Sequence, residues 1–245
     1  MRLSRIFIEQ SLAIDVKIQL DKTANHYVRN VLRLKPDTTI SLFNGLDRYD
    51  YESKLTFEGK KTFASISSRS AGNTESSLDS EIIQGLSRSD HLDWMIQKTT
   101  ELGVRWISIF NSSHSQIPVK LGQLEKKQAH WRAIAIKACE QSGRVVPPQI
   151  NFFNHIQSTL DASHQRKNKF LLDFQGPRLG TLLLPEARAT QVSIMLGPEG
   201  GLSEAEIELA TGAGFLPSQL GSRVLRTETA AITALTIAQS SWGDI

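Results

Sequence analysis

The pattern of apolar and polar positions along the chain changes character near residue 73. Before that point, residues 5–8, 40–43, 49–57 and 62–67 carry β-branched and aromatic side chains in partial alternation, as half-buried strands do. Glu58-Gly59-Lys60 supplies a turn between the last two. Tyr27, Val31 and Leu34 recur at helical spacing, which predicts a short helix within 22–33. Short strands with one helix describe a small β-barrel. Residues 67–80 are rich in serine, glycine and asparagine and poor in apolar side chains, the composition of a linker. The expected domains are therefore 1–72 and 73–245.

Beyond the linker, strands and helices alternate. Residues 81–86 read as a strand, followed by a helix capped at Asp90 and running to Glu101, with Gly103 as its stop. Residues 104–110 form the next strand, and 123–142 a long amphipathic helix ended by Gly143. The compact apolar runs 170–174 and 192–196 suit buried parallel strands. Further helices begin at Ser203 and at Thr227 or Thr229. This alternation predicts an α/β domain with a mostly parallel sheet.

Bulk properties narrow the partners only slightly. A net charge of +3 fits an anionic partner without requiring one. No run approaches the roughly 18 apolar residues of a membrane span. The first residues run into Glu9 and Gln10 without the apolar stretch of a secretory signal, so a cytoplasmic location is expected. Cys139 is the single cysteine, which excludes an intrachain disulfide and suits a packing role. His26, His91, His114, His130, His155 and His164 contain no H-x-x-x-H pair and have no cysteine cluster to join, so no metal is expected. Surface or turn positions are their expected place.

Two segments carry candidate chemistry. The strand ending at Leu196 delivers the chain to Gly197-Pro198-Glu199-Gly200-Gly201, and Ser203 with Glu206 then forms a capping box. A glycine loop at the carboxyl end of a strand in an open α/β sheet lies where ligands bind, although such a loop can equally be a plain strand-to-helix turn. It lacks the Gly-Lys-Ser/Thr ending of a phosphate loop, and no G-x-G-x-x-G follows any strand. A ligand read through backbone groups, such as an adenosine, fits better. The second segment, 220–239, places Arg223, Arg226, Thr227, Glu228 and Thr229 ahead of an alanine-rich helix. Helix starts favour anions and carbonyl oxygens. Thr227 or Thr229 also suits a cap, and Glu228 a first-turn acid. Ala230, Ala234 and Ala238 lie on one helix face and permit close packing, within one subunit or between two.

With both segments in view, the sequence resembles the SPOUT superfamily of knotted methyltransferases. Within it, the likeness is to the ribosomal RNA small subunit methyltransferase E family, which methylates N3 of a uridine in bacterial 16S rRNA. The resemblance runs nearly end to end: Arg5-Ile6-Phe7, His26 with Val31-Leu32-Arg33, Ile96-Gln97-Lys98, Glu101 to Val104, Glu140 to Arg144, Leu196 to Gly201, Leu220-Gly221, Arg223 to Ala230, and Gly243-Asp244. It implies a PUA-like barrel followed by an α/β domain tied in a deep trefoil knot, a homodimer, and S-adenosylmethionine as methyl donor. Donor contacts are expected from Leu172, Leu196, Gly197, Glu199, Gly200, Gly201, Leu220, Gly221, Val224, Leu225 and Thr229. For the chemistry, Arg226 is the candidate to stabilise charge on a uracil oxygen and Glu228 the candidate base or orienting group. Arg226 can alternatively pair with Glu228 and hold the loop. RNA contacts are expected from Arg2, Arg5, Arg29, Arg33, Arg88, Lys98 and Arg144.

The chain departs from the family pattern in places. Ser87-Arg88-Ser89-Asp90 stands where a lysine-containing turn is common, Ser222 replaces a proline in Gly221-Ser222-Arg223, and residues 112–116 lack an arginine expected near them. These departures touch RNA contacts rather than the donor loops. One rival reading is a knotted ribose 2′-O-methyltransferase, against which stands the lack of an early Asn-x-Gly-x-x-x-Arg segment. The other is a non-catalytic RNA-binding ribosome-assembly factor, against which stand the intact donor loops.

Overall fold

The structure is a computed structural model that describes residues 3–116, 118–119, 121–163, 165–183 and 189–245. Arg2 and His164 lie outside the described residues. The chain separates into two compact units, Met1–Glu75 with Cys139–Pro147, and Ser76–Ala138 with Pro148–Ile245.

The first unit contains β1 (Arg5–Phe7), β2 (Lys17–Gln19), α1 (Lys22–His26), a π-helical turn (Tyr27–Val31), β3 (Thr39–Phe43), β4 (Tyr49–Glu58) and β5 (Lys61–Ala71). They form one sheet in the order β1-β3-β4-β5-β2, in which β1 and β3 are parallel and the other pairs antiparallel. Gly59 turns the β4–β5 hairpin with φ +58°, where glycine has no Cβ to clash. Ile6, Val28, Ile40, Leu42, Tyr51, Leu55 and Ala64 make the core. Strand β5 extends into the first part of the stretch that reads as linker. Ser68 to Ala71 pair with Glu52 to Tyr49 through the backbone while their side chains face solvent. Composition therefore reports the exposed side chains and conceals the ladder.

The segment Cys139–Pro147 also belongs to this unit, and two arginines bind it there. Arg5 is buried: it pairs with Asp50 at 2.9 Å and donates to the carbonyls of Cys139 (2.6 Å) and Arg144 (3.0 Å). Arg144, also buried, donates to Glu75 at 2.9 Å, and Glu75 accepts the amides of Val145 and Val146. Arg5 and Arg144, expected to contact RNA, are instead internal ties. Arg144→Ala, by removing the cation that pairs with the half-buried Glu75 carboxylate, is expected to cost up to about 3 kcal/mol of unfolding free energy in denaturant titration. The RNA affinity of the folded protein should stay within twofold; a selective loss of RNA affinity would reverse this reading. Cys139 packs with Phe43 and Val145, and burial pushes its thiol up to about 12, against the pull of Arg144. That removes nucleophilic character and agrees with packing.

The second unit holds β6 (Asp79–Gly85), α2 (Ser89–Glu101), β7 (Trp106–Phe110), α3 (Leu121–Ser142, whose last turn enters the first unit), β8 (Gln149–Phe153), α4 (Ile156–Ala162), β9 (Lys169–Leu172), α5 (Leu179–Leu182), β10 (Gln191–Leu196), α6 (Glu204–Gly212), β11 (Leu216–Ser218) and α7 (Thr227–Trp242). Its sheet has six strands in the order β11-β9-β10-β6-β7-β8, all parallel. Successive side chains serve opposite faces, as strand geometry requires. Ile82, Ile109 and Ile194 enter one core with residues of α2, α3 and α7, while Ile83, Phe110 and Met195 enter another with residues of α4 and α6. Burial on both faces explains why these strands read as continuous apolar runs. In α7, Ala231, Ala234, Leu235 and Ala238 are buried, and the helix packs on α2, α5 and β10. Much of the small-residue face is thus used within the unit.

Candidate functional site

The carboxyl ends of β6, β9, β10 and β11 converge on the two segments singled out above. After Leu196 the loop turns back on itself, with the Gly201 amide donating to the Pro198 carbonyl at 2.9 Å and Gly201 at φ +74°. The capping box at Ser203 and Glu206 is present. Glu206 also accepts from the Ser113 amide (2.9 Å) and the Ser112 hydroxyl (3.1 Å), fixing the start of α6 to the loop after β7.

The second segment leaves β11, passes Gly221 at φ +138° and enters α7 at Thr227. Thr227 does not cap its helix. Its hydroxyl lies 3.0 Å from the Gly197 carbonyl, and the side-chain amide of buried Gln84 donates to that carbonyl at 2.9 Å and reaches Thr227 Oγ1 at 2.9 Å. One polar residue at the end of β6 therefore joins the glycine loop to the start of α7.

Between the segments lies a cavity of about 560 Å³, within the size range that holds a small organic ligand. Leu172, Leu196, Leu220, Leu225 and Ala230 give it apolar walls, and Phe174 and Val224 line it while remaining largely exposed. Arg88, Arg223 and Arg226 are its cationic members, all exposed. Nothing lies within 4 Å of where a Cβ on Gly201 or Gly221 would stand, so backbone is open to close approach at both positions. Apolar walls with bare backbone suit a planar heterocycle, and arginines at the same opening suit an anionic partner.

His91 sits among the acids of the site. Its Nδ1 is 2.8 Å from Glu199 Oε1, which also accepts the Arg88 amide at 3.0 Å. Burial opposes ionisation of Glu199, but the Arg88 amide, its own amide and His91 outweigh it and hold the carboxyl below its ordinary value. Glu228 is buried at the start of α7; its Oε2 has no hydrogen-bond partner among the described residues and lies 3.8 Å from His91 Nδ1.

Of the expected donor contacts, Leu172, Leu196, Gly197, Glu199, Gly201, Leu220, Gly221, Val224 and Leu225 line the cavity together. Gly200 instead packs against His114, and Thr229 faces solvent outside the lining. Arg226 lines the cavity; Glu228 does not, and reaches it through His91. Among the expected RNA contacts, Arg29 spends its guanidinium on Thr62 and the carbonyls of Gly59 and Lys61 and covers the Phe57 ring, an internal role. Lys98 is half-buried on Glu101 and lies over Trp94. Arg33 and Arg88 remain exposed. Sequence reasoning missed Gln84, His91 and Phe174. No local signal marks the first two, whereas an aromatic at the end of an apolar run was available for the third.

Glu206 yields a pH expectation. Burial raises its pKa, but the amides of Ser203 and Ser113 and the nearby hydroxyls prevail and lower it. A depressed carboxylate stabilises the fold above its unfolded value, and that stability is lost as pH falls toward the folded value. Glu206→Gln should therefore flatten the acid side of the melting-temperature profile and cost about 1–3 kcal/mol at pH 7. A profile parallel to that of the unmodified chain would contradict the assignment.

A family model described as an RNA methyltransferase domain matches residues 74–239. Ribosomal RNA small subunit methyltransferase E of Buchnera aphidicola subsp. Schizaphis graminum is 34% identical over 245 residues, covering 100% of this chain and 98% of that one. Two solved structures are similar over 100% of both chains. One is a methyltransferase from Legionella pneumophila in complex with the cofactor S-adenosylmethionine, at TM-score 0.92 and 32% identity. The other is ribosomal RNA small subunit methyltransferase E from Neisseria gonorrhoeae bound to S-adenosylmethionine, at TM-score 0.89 and 31% identity.

Proposed function

Since the chain belongs to the RNA methyltransferase family and is related along its whole length to ribosomal RNA small subunit methyltransferase E, we propose that it transfers a methyl group from S-adenosylmethionine to N3 of a uridine in bacterial 16S rRNA. The observation that carries this reading is the cavity at the carboxyl ends of β9, β10 and β11, enclosed by the two segments that the sequence shares with the family.

The residues present fit the donor. Leu172, Leu196, Leu220 and Leu225 offer apolar surface for an adenine, and the bare backbone at Gly201 and Gly221 permits hydrogen bonds at close range. When bound, S-adenosylmethionine supplies an electrophilic methyl group on a sulfonium. The chain must then orient a uracil, favour loss of its N3 proton and stabilise the resulting anion. Arg226 is assigned to the developing charge on a uracil oxygen. Arg33, Arg88 and Arg223 supply exposed cations for the phosphate backbone.

The reading extends to the deep trefoil knot of the family, to a PUA-like RNA-binding role for the first unit, to a homodimer and to action in the cytoplasm. Among the described residues no helix is long and apolar enough to cross a membrane. Labelled S-adenosylmethionine incubated with purified 16S rRNA and with small subunits should label one of them, and nucleoside mass analysis should return N3-methyluridine. Label on a ribose oxygen would replace the reading with 2′-O-methylation. Donor binding without any transfer would favour a non-catalytic assembly factor.

A further inference from the structure

The proposed reaction needs a group that takes the N3 proton, and among the described residues His91 lines the cavity with its ring held by a carboxylate. We propose that His91 is the general base, with Glu199 holding its ring and Glu228 a positioning residue behind it; this deepens the uracil-N3 reading and rests on it. Glu199 Oε1 faces the His91 ring. A carboxylate only accepts hydrogen bonds, so the 2.8 Å contact with His91 Nδ1 requires that nitrogen to carry its proton. In the neutral imidazole the lone pair then belongs to Nε2, free to accept. Because Glu199 is itself fixed by the Arg88 amide, the ring is held in one tautomer and orientation. This is the arrangement by which a carboxylate behind a histidine prepares it as a base.

The buried oxygen of Glu228 gains a purpose in the same arrangement. Burying an unpaired carboxylate oxygen is costly, and Oε2 stands 3.8 Å from Nδ1 with no hydrogen bond among the described residues. Once the ring is protonated, that carboxylate faces an imidazolium and the arrangement becomes attractive. The charged groups around the ring are Asp90 from α2, 3.9 Å from Nε2, Glu199 from the glycine loop and Glu228 from α7. Arg88, Arg223 and Arg226 line the same cavity with opposite charge, and Asp173 lines it as a further acid.

The step balances. Nε2 takes the N3 proton, and the nitrogen pair left behind forms the bond to the methyl group. The bond between that methyl and sulfur breaks with its electrons remaining on sulfur, and the proton passes from His91 to water.

The test compares the unmodified chain with His91→Asn, whose side-chain amide can still donate to Glu199 but cannot accept a proton. Single-turnover methylation of small-subunit RNA should fall about 10²- to 10⁴-fold and lose its acid limb, while S-adenosylmethionine affinity measured by calorimetry stays within threefold. Glu228→Gln should lower the single-turnover rate and leave S-adenosylmethionine affinity within threefold, and Glu228→Asp should restore part of the rate. In the free protein, ¹⁵N spectra should show the Nδ1–H tautomer for His91. Retention of rate and acid limb in His91→Asn, or an Nε2–H tautomer, overturns the assignment while N3-methyluridine formation by the unmodified chain leaves the function standing. Methylation elsewhere by the unmodified chain overturns both.

Discussion

Gly197→Ala is expected to abolish S-adenosylmethionine binding at concentrations that saturate the unmodified chain. An added Cβ would stand 2.6 Å from the carbonyl carbon of Gly201 and 2.7 Å from the amide nitrogen of Leu202. Both are backbone atoms, so no side chain can swing aside; the loop must open. Opening it pulls the Gly197 carbonyl away from Gln84 and Thr227, the bonds that join the glycine loop to α7. A loss of at least 100-fold in affinity corresponds to about 2.7 kcal/mol, within reach of an overpacked site that also surrenders buried hydrogen bonds. Gly122→Ala serves as control. It lies in α3 with nothing within 4 Å of the added atom, and alanine should raise stability there by up to about 1 kcal/mol. Calorimetric binding of the donor to Gly197→Ala within tenfold of normal would show that the loop is not the donor site.

The second large effect is expected at Arg226. Its side chain lines the cavity, is exposed, and has no hydrogen bond or ion pair among the described residues. Its backbone is held as the residue before α7, next to the anchored Thr227. A free guanidinium on a fixed backbone is placed to meet charge that develops only during reaction. Arg226→Ala should lower the single-turnover rate about 10²- to 10³-fold and leave donor affinity within threefold. Arg226→Lys should recover part of the rate, since it restores the charge without the planar fork. Equal losses in rate and donor affinity in the alanine variant would make Arg226 a donor contact instead.

The parts of this molecule that were legible in the sequence are those whose cause is local. The glycine loop, the capping box at Ser203, the hairpin turn at Gly59 and the strands with apolar runs each announce themselves within a few residues. What escaped depends on partners distant in sequence. Nothing near Arg5 or Arg144 reveals that Asp50 and Glu75 will engage them, so their charges read as free. Gln84 looks like an ordinary polar break in a strand until Gly197 and Thr227 arrive on either side. His91 reads as one more polar residue on a helix, because Glu199 and Glu228 come from elements more than a hundred positions away. The short strands β2, β8 and β11 have too few buried positions to show a period, and tertiary pairing decides them.

The return of Cys139–Pro147 to the first unit has a consequence for biosynthesis. Residues 1–75 leave the ribosome well before the segment that supplies the carbonyl partners of Arg5 and the packing partners of Phe43. During that interval Arg5 has Asp50 and the Phe43 ring but lacks its two carbonyl partners, and part of the apolar surface stays wet. The amino-terminal unit therefore cannot reach its final form as an early autonomous folder. It waits until about seventy more residues have been made, and a truncation at residue 75 would capture it in that unfinished condition.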